Sequence, residues 1–378
     1  MQRYLEIWIA KDLKEKMVFL GGPRQVGKTT VAFHLLNTTD TEHPAYLSWD
    51  DTLTRKSLLS GELPPQQKLL VFDEIHKYKH WRNFIKGVFD KNRSKIKILV
   101  TGSARLDYYR RGGDSLQGRY HYYRLHPITL DETDFSKKDI LSDLLTYGGF
   151  PEPLLKADAS TYKRWQKERK NRVLQEDLIS LEHVRDLSHV ELLLDLLPSR
   201  VGSPLSISNL SNDLQVSFET TDKWIQILER LYFVYRIMPY GLPKLRAAKK
   251  ERKIYLWDWS QCENEGARFE NFVASHLLKY CHFLEDTRGD TMELRFLRDS
   301  MKREIDFIVL KNKKPLFAIE CKAGEGTISP NISYFSSRIP IPKFYQVHLG
   351  GKNVEIASLK ARILPFRVFI KELWEALL

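Results

Sequence analysis

The stretch Gly22-Pro23-Arg24-Gln25-Val26-Gly27-Lys28-Thr29-Thr30 constrains this chain more than any other. It follows the apolar run Met17-Val18-Phe19-Leu20 and opens a helical pattern from Thr29 to about Leu36, so it predicts strand, glycine loop and helix in that order. A phosphate tail carries several negative charges, and binding it takes converging backbone N–H groups that only a glycine-bearing loop can bring close enough. Gly22 and Gly27 supply that freedom. Lys28 would reach the terminal phosphates as a point charge, the Thr29 hydroxyl would ligate a Mg²⁺ ion, and the helix would aim its positive end at the same place.

With 378 residues, 42% of them apolar, the chain has material for two or three domains with proper cores. No apolar run approaches the ~20 residues of a membrane span, and Met1-Gln-Arg-Tyr-Leu-Glu6 lacks the layout of a signal peptide, so a cytoplasmic setting is expected. Cys262, Cys281 and Cys321 are too scattered for a disulfide framework or a zinc site and read as packing residues. The formal charge of +12 favours a polyanionic partner without separating nucleic acid from any other.

Three further apolar runs, Ala45–Ser48, Leu69–Phe72 and Ile96–Val100, alternate with helical stretches and predict a parallel sheet. The Leu69 run ends in Asp73-Glu74, an acidic pair at the carboxyl end of a buried strand, where open α/β sheets collect ligands. Asp73 would hold Mg²⁺ through water, and Glu74 would polarise the water that attacks a γ-phosphate. The next strand ends in Thr101-Gly102-Ser103, whose Ser103 is a candidate partner of that phosphate or its water, although the tripeptide is also ordinary turn chemistry. Leu116-Gln-Gly-Arg119 precedes a strand-like Tyr120–Leu125, and Arg119 is a candidate to act on a neighbouring subunit's nucleotide, with a surface ion pair as the alternative.

With G-P-R-Q-V-G-K-T-T, V-F-D-E-I-H, T-G-S and L-Q-G-R in this order, followed by His126-Pro127-Ile-Thr-Leu and Gly148-Gly149-Phe150-Pro151-Glu152, the chain resembles a prokaryotic family of AAA+ ATPases. The resemblance implies a P-loop core with Walker A and B motifs, ATP and Mg²⁺ as ligands, a first sensor at Ser103 and assembly into a homo-oligomeric ring such as a hexamer. Ala104 departs from the Ser or Asn that family members carry after T-G-S.

Gly148–Pro153 is the strongest breaker cluster and is read as the end of an ATPase core at 1–150. A basic connector follows at 151–188, where Tyr162–Arg172 holds Lys163, Arg164, Lys167, Arg169, Lys170 and Arg172 against Glu168 and offers either a phosphate-touching arm or a solvated face. Over 189–258 the helical patterns Val190–Leu197, Ser206–Leu214 and Phe218–Leu231, with Ser217 as N-cap and Tyr232–Met238 as a strand, have the spacing of a winged helix-turn-helix. The candidate recognition helix is slightly acidic through Glu219, Asp222 and Glu229, so a packing role stands beside DNA reading. The run Lys244, Arg246, Lys249, Lys250, Arg252, Lys253 is the better phosphate contact.

The last part, 259–378, holds a second set of chemical residues. Ala267–Tyr280 reads as an amphipathic helix carrying Glu270, and the strands Glu304–Leu310 and Leu316–Lys322 place Asp306, Glu320 and Lys322, with Glu320 and Lys322 on one face. Two carboxylates and an ammonium in this layout suit phosphodiester cleavage, Asp306 and Glu320 holding Mg²⁺ or Mn²⁺, Lys322 positioning the water and Glu270 adding a contact. The order resembles the PD-(D/E)XK restriction-endonuclease-like fold; a surface ion pair is the plain alternative. The predicted fold class is therefore α/β, a P-loop AAA+ domain followed by a winged-helix module and a nuclease-like domain.

Two functions fit this layout. One is a Mg²⁺-dependent ATPase acting on DNA, with no membrane partner; the other is a nucleotide-controlled binding switch whose nuclease-like domain holds nucleic acid or protein without cutting it. A metabolic kinase fits less well, since an Asp-Glu pair favours attack by water.

Overall fold

The structure, a computed structural model, describes residues 1–92, 95–103, 106, 116–133, 139–178, 186–241 and 252–377. Ala104 and, from the basic run, Lys244, Arg246, Lys249 and Lys250 lie outside the described residues. The chain is α/β and divides into two compact units, Met1–Pro127 and Ile128–Leu378.

In the first unit α1 (Glu6–Asp12) leads into β1 (Met17–Gly21), α2 (Lys28–Leu36), β2 (Tyr46–Ser48), α3 (Thr52–Ser60), β3 (Leu69–Asp73), α4 (Trp81–Asn92), β4 (Lys97–Thr101) and β5 (Tyr120–Arg124). The strands form a parallel sheet in the order β2-β3-β4-β1-β5. Every residue of β1 is buried, as expected of a parallel strand covered on both faces. On one face Met17, Phe19, Leu70, Phe72, Ile98 and Val100 pack with Trp81, Ile85 and Phe89 of α4. The register sets Asp73 opposite Thr101 and Thr101 opposite Leu20, so the carboxyl ends of β3, β4 and β1 come level. All the predicted nucleotide chemistry sits at that edge except Arg119.

The second unit starts with α5 (Ile140–Tyr147), α6 (Pro151–Lys156) and α7 (Ala159–Arg172), then α8 (Leu187–Leu196), α9 (Ile207–Leu214) and α10 (Phe218–Arg230). Gly148–Pro153 lies inside this unit, where Gly149 accepts a backbone hydrogen bond from Ile128 and Pro151 opens α6. Ser217 caps α10 by accepting from the Thr220 amide. An antiparallel ribbon follows, β6 (Val234–Pro239) with β7 (Lys253–Leu256).

Then come the long α11 (Glu265–Arg288), β8 (Met292–Arg298), β9 (Glu304–Lys311), β10 (Lys314–Cys321), α12 (Pro330–Ser336), β11 (Phe344–His348), β12 (Val354–Ile356), β13 (Ala361–Pro365) and α13 (Phe366–Glu375). The sheet order is β12-β13-β11-β10-β9-β8-β6-β7, so the ribbon extends the C-terminal sheet through β6 and β8. The β9–β10 turn needs only Asn312 and Lys313, both left-handed at φ 51° and 66°, the geometry that keeps two antiparallel strands in register. Among the described residues, no helix is long and apolar enough to cross a membrane.

Two basic segments differ from the sequence reading. In α7 the residues Lys163, Arg164 and Lys167 are exposed, but Arg169 is buried, its guanidinium 4.3 Å from the Phe150 ring centre and donating to the Tyr232 carbonyl at 3.3 Å. Lys170 pairs with Asp195 at 2.7 Å and Glu191 at 3.1 Å. Two of the six basic residues, Arg169 and Lys170, therefore tie α7 to its own unit. Lys253, read as a phosphate contact, is wholly buried, whereas Arg252 is exposed.

The start of the second unit is fastened to α11 by buried polar groups. His276 Nδ1 donates to the Phe272 carbonyl at 2.7 Å, which leaves Nε2 to accept from the Leu130 amide at 2.9 Å. Burial pushes this imidazole down to about 3, so it stays neutral. Three residues on, the Lys279 ammonium donates to Thr129 Oγ1 at 2.6 Å, Asp131 Oδ2 at 2.7 Å and Glu132 Oε1 at 2.8 Å. Removing one partner of such a group strands the other charges away from water. Lys279→Met is therefore expected to lower stability by about 3–5 kcal/mol, seen as a fall in urea midpoint, while Lys371→Met, which removes an exposed pair with Glu375, changes it little. Equal midpoints for the two variants would refute the fastening role.

Candidate functional site

The loop between β1 and α2 is built for close approach. Gly22 has φ 143° and Gly27 φ 98°, and a Cβ on Gly22 would run into the Leu125 carbonyl. The Lys28 ammonium folds back into the loop and donates to the carbonyls of Pro23 at 2.6 Å and Gly22 at 3.1 Å. Thr29 and Thr30 are exposed at the first turn of α2, and Arg24 and Gln25 are half-buried on the loop. Arg3 holds the loop from behind, donating to the carbonyls of Val26 at 2.8 Å and His126 at 2.6 Å. No motif in the sequence marks Arg3, because its partners lie far along the chain.

The acidic pair sits beside the loop. Asp73 accepts from the Tyr46 hydroxyl at 2.5 Å and from the Thr101 hydroxyl, and Thr29 also reaches Tyr46. Burial pushes the Asp73 carboxyl above the usual range, with Glu74 adding to the shift. Glu74 turns off the strand at φ 54°; its Oε1 accepts from the Ser103 amide at 3.1 Å, and its Oε2 faces His76 at 3.5 Å and Lys77 at 3.7 Å. The Thr-Gly-Ser tip thus has three structural duties. Thr101 orients Asp73, Gly102 leaves room for the His76 ring, which an added Cβ would meet at 2.6 Å, and Ser103 fixes Glu74 through its main chain. Tyr46 and His76 are neighbours of the acidic pair that the sequence reading missed; Tyr46 opens β2 and is brought here by its pairing with β3, whereas His76 lies in the short turn just after Glu74.

Arg119 is elsewhere. It precedes β5 at the amino-terminal edge of the sheet, its carbonyl accepts from the Met17 amide at 3.0 Å, and its side chain meets Asp90 at 2.9 Å. The loop leaves the other end of β1, so Arg119 has no route to the nucleotide site of its own unit.

The second constellation lies within the second unit. Asp306 on β9 accepts from the Cys321 amide at 2.8 Å. Glu320 on β10 is 3% exposed; its Oε1 accepts from Ser329 Oγ at 3.0 Å and pairs with Lys322 at 3.0 Å, and its Oε2 has no hydrogen-bond partner. Glu270 on α11 accepts from the Tyr255 hydroxyl at 2.7 Å and from Lys253 at 3.1 Å. The same ammonium pairs with Glu304 and lies 3.9 Å from Asp306. Glu270, Asp306, Glu320 and Lys322 are thus neighbours, with Lys253, Tyr255, Glu304 and Ser329 added to the set. Lys253 and Tyr255 alternate on β7, a period-two signal present in the sequence but hidden behind the basic run.

Fit to a cation differs between the two places. At the loop one hydroxyl and one carboxylate suffice, since Mg²⁺ keeps most of its waters and takes the rest of its ligands from the nucleotide. In the second unit the orphaned Glu320 Oε2 and the adjacent Asp306 fit a divalent ion, whereas Glu270 is already engaged by an ammonium and a hydroxyl. Among the described residues no group of three or more His, Cys, Asp or Glu is gathered in metal-ready geometry.

Comparison with known proteins agrees with this division. Residues 14–133 match a family model described as an AAA domain; residues 138–262 and 265–369 match two domains of unknown function, DUF8612 and DUF4143. The uncharacterized protein MJ1544 of Methanocaldococcus jannaschii is 22% identical over 375 residues, covering 90% of this chain and 82% of that one. Rv2008c of Mycobacterium tuberculosis is 24% identical over 249 residues, covering 64% of this chain and 54% of its own length. Among solved structures, RuvB of Thermotoga maritima aligns at 16% identity with a TM-score of 0.30 over 62% of this chain and 89% of that one. A Bacteroides Pif1 helicase aligns at 13% and 0.23 over 39% and 47%. Likenesses of that size carry no argument. The family match and the loop geometry together make the first unit a P-loop AAA domain.

The acidic cluster gives a pH test. Burial, with Asp306 beside them, pushes both Glu270 and Glu320 up to about 7. A raised carboxyl keeps its proton in the native state when the unfolded chain has lost it, so its contribution is full below the ordinary carboxylate range and is lost as pH rises through about 7. The urea midpoint of metal-free protein is expected to fall between about pH 5 and about pH 8, less steeply in Glu320→Gln, with Mn²⁺ restoring the wild type at the upper end. An identical slope in the variant would contradict the assignment.

Proposed function

We propose that the chain is a Mg²⁺-dependent ATPase acting on DNA, with a nuclease-like metal centre in its C-terminal part. The observation that carries the first half is the convergence of Lys28, Thr29, Asp73 and Glu74 at one edge of a parallel sheet. Gly22 to Thr30 wrap the phosphates, with Lys28 moving from its own loop carbonyls to the terminal phosphate oxygens. Thr29 and Asp73 hold Mg²⁺, which neutralises charge developing on the phosphates. Glu74, held by the Ser103 amide and flanked by His76 and Lys77, orients and polarises the attacking water. Arg119 serves the nucleotide of a neighbouring copy in a ring, possible only once it leaves Asp90.

For the second half, Asp306 and Glu320 would hold a divalent ion, Mg²⁺ or Mn²⁺, which would supply the acidity to activate a water. Lys322 positions that water or answers charge on the phosphate. DNA as partner is supported by the charge of +12 and by the exposed Lys163, Arg164, Lys167 and Arg252. The arrangement α8, α9, α10 and the β6–β7 ribbon supports a winged-helix reading. Arg236 answers two acids of α10, Asp222 at 3.0 Å and Glu229 at 2.6 Å, which reduces the repulsion of that helix for phosphate. The competing function, a nucleotide-controlled switch that binds without cutting, is favoured by one observation: Glu270 is held by Lys253 and Tyr255.

The test is ATP turnover and DNA retention on purified protein. Glu74→Gln is expected to lower kcat by about 100-fold or more with nucleotide still bound, and Lys28→Ala to lose nucleotide binding. Asp306→Ala and Glu320→Ala are each expected to abolish Mn²⁺-dependent cleavage while leaving basal ATP turnover in place. No DNA-stimulated turnover and no DNA retention at about 0.1 M salt would sink the DNA reading; cleavage that survives both substitutions would sink the assigned centre, and its absence from wild type would favour the switch.

A further inference from the structure

We propose that the Lys253 ammonium is a built-in cation of the acidic cluster, occupying with its single charge the place of one divalent ion. The inference rests on the reading of Asp306 and Glu320 as a metal pair for what the remaining position does, and on Lys253 geometry alone for the rest.

Glu270 comes from α11, Glu304 and Asp306 from β9 and Glu320 from β10, so four carboxylates from three elements meet in a largely buried region. Like charges so placed repel strongly, and a protein assembles them only around positive charge. Lys253 is the group placed to do this. It has no solvent exposure, pairs with Glu304, pairs with Glu270 at 3.1 Å and lies 3.9 Å from Asp306, which is how a shared cation sits among its ligands. Its ammonium lies 5.6 Å from the centre of the Phe296 ring. Tyr255, two residues along the same strand, completes the hold on Glu270, and the backbone at Gly202 closes the other side, where a Cβ would meet Glu270 Oε2 at 2.9 Å.

Charge limits what else can enter. Arg298 pairs with Glu304 at 3.3 Å and Lys322 with Glu320 at 3.0 Å, so with all four carboxylates ionised three cations answer four negative charges. One divalent ion at Asp306 and the orphaned Glu320 Oε2 would leave a single positive charge, which one phosphodiester anion balances. A second ion would leave three in a region of low dielectric, at a place where an ammonium already stands. The cluster therefore takes one divalent ion, and the two-ion arrangement in which paired metals lie about 3.5–4 Å apart is closed to it while Lys253 is present.

The probe is Mn²⁺ binding to the full chain without nucleotide, counted by calorimetry and by electron paramagnetic resonance. One ion per chain is expected for wild type and two for Lys253→Met, which keeps the length of the stem and removes its charge. The increment reports on Lys253 and the wild-type count reports on the metal pair, so the two can fail separately. One ion in wild type and one in Lys253→Met overturns the Lys253 proposal and leaves the metal pair standing. None in wild type and one in the variant keeps the proposal and removes the metal pair; none in either overturns both. A variant that folds only with Mn²⁺ and then holds two supports the proposal. Should Lys253→Met not fold at all, wild type decides: an uncoupled single-ion spectrum supports the proposal, and the spectrum of an exchange-coupled pair overturns it.

Discussion

Taking a charged side chain out of water costs several kcal/mol unless opposite charge or hydrogen bonds meet it, and the second unit does this repeatedly to hold distant segments together. Lys253 joins a ribbon strand to α11 and β9; Lys279 joins α11 to the segment that opens the unit; Arg169 packs α7 on Phe150 and reaches the Tyr232 carbonyl. Each cation has partners on elements far apart in sequence, so each acts only when those elements are in place. Such groups give directional, mutually exclusive pairings that apolar packing alone does not, and they fix which strand end faces which helix.

This use of charge also explains why the basic composition reads as more surface than it is. Of the six basic side chains of α7, Arg169 is buried and Lys170 is held by Asp195 and Glu191, and Lys253, the last member of its basic run, is wholly buried. What local pattern reveals is different in kind. The glycine loop, the buried strands and the Ser217 cap depend on near neighbours, and each lies where periodicity and capping chemistry place it. Asp306, Glu320 and Lys322 were legible because apolar alternation marks two successive strands, although their pairing shifts register between Pro315 and Phe317. Lys253, Tyr46 and Arg3 were not, because their contacts arise from strand order and from partners far along the chain.

The join between the units illustrates the same limit. Gly and Pro clusters usually mark a break, yet Gly148 to Pro153 serves an internal turn whose Gly149 carbonyl receives the Ile128 amide. At Pro127, where the units divide, the neighbouring His126 carbonyl is held by Arg3 within the first unit, and Leu130 is held by His276 within the second.

The two candidate centres answer one electrostatic problem in opposite ways. Asp73 is held by the hydroxyls of Tyr46 and Thr101, neutral donors that orient a carboxylate without cancelling its charge. Under the proposed function, a centre so built would keep its demand for a cation until one came with the nucleotide. Glu270 and Glu304 are instead answered by an ammonium tethered to the chain. In that cluster Glu320 Oε2 has no hydrogen-bond partner, and under the proposed function it and Asp306 would take the ion. The difference follows from the donors alone: hydroxyls preserve a demand for charge, whereas a buried lysine satisfies it permanently.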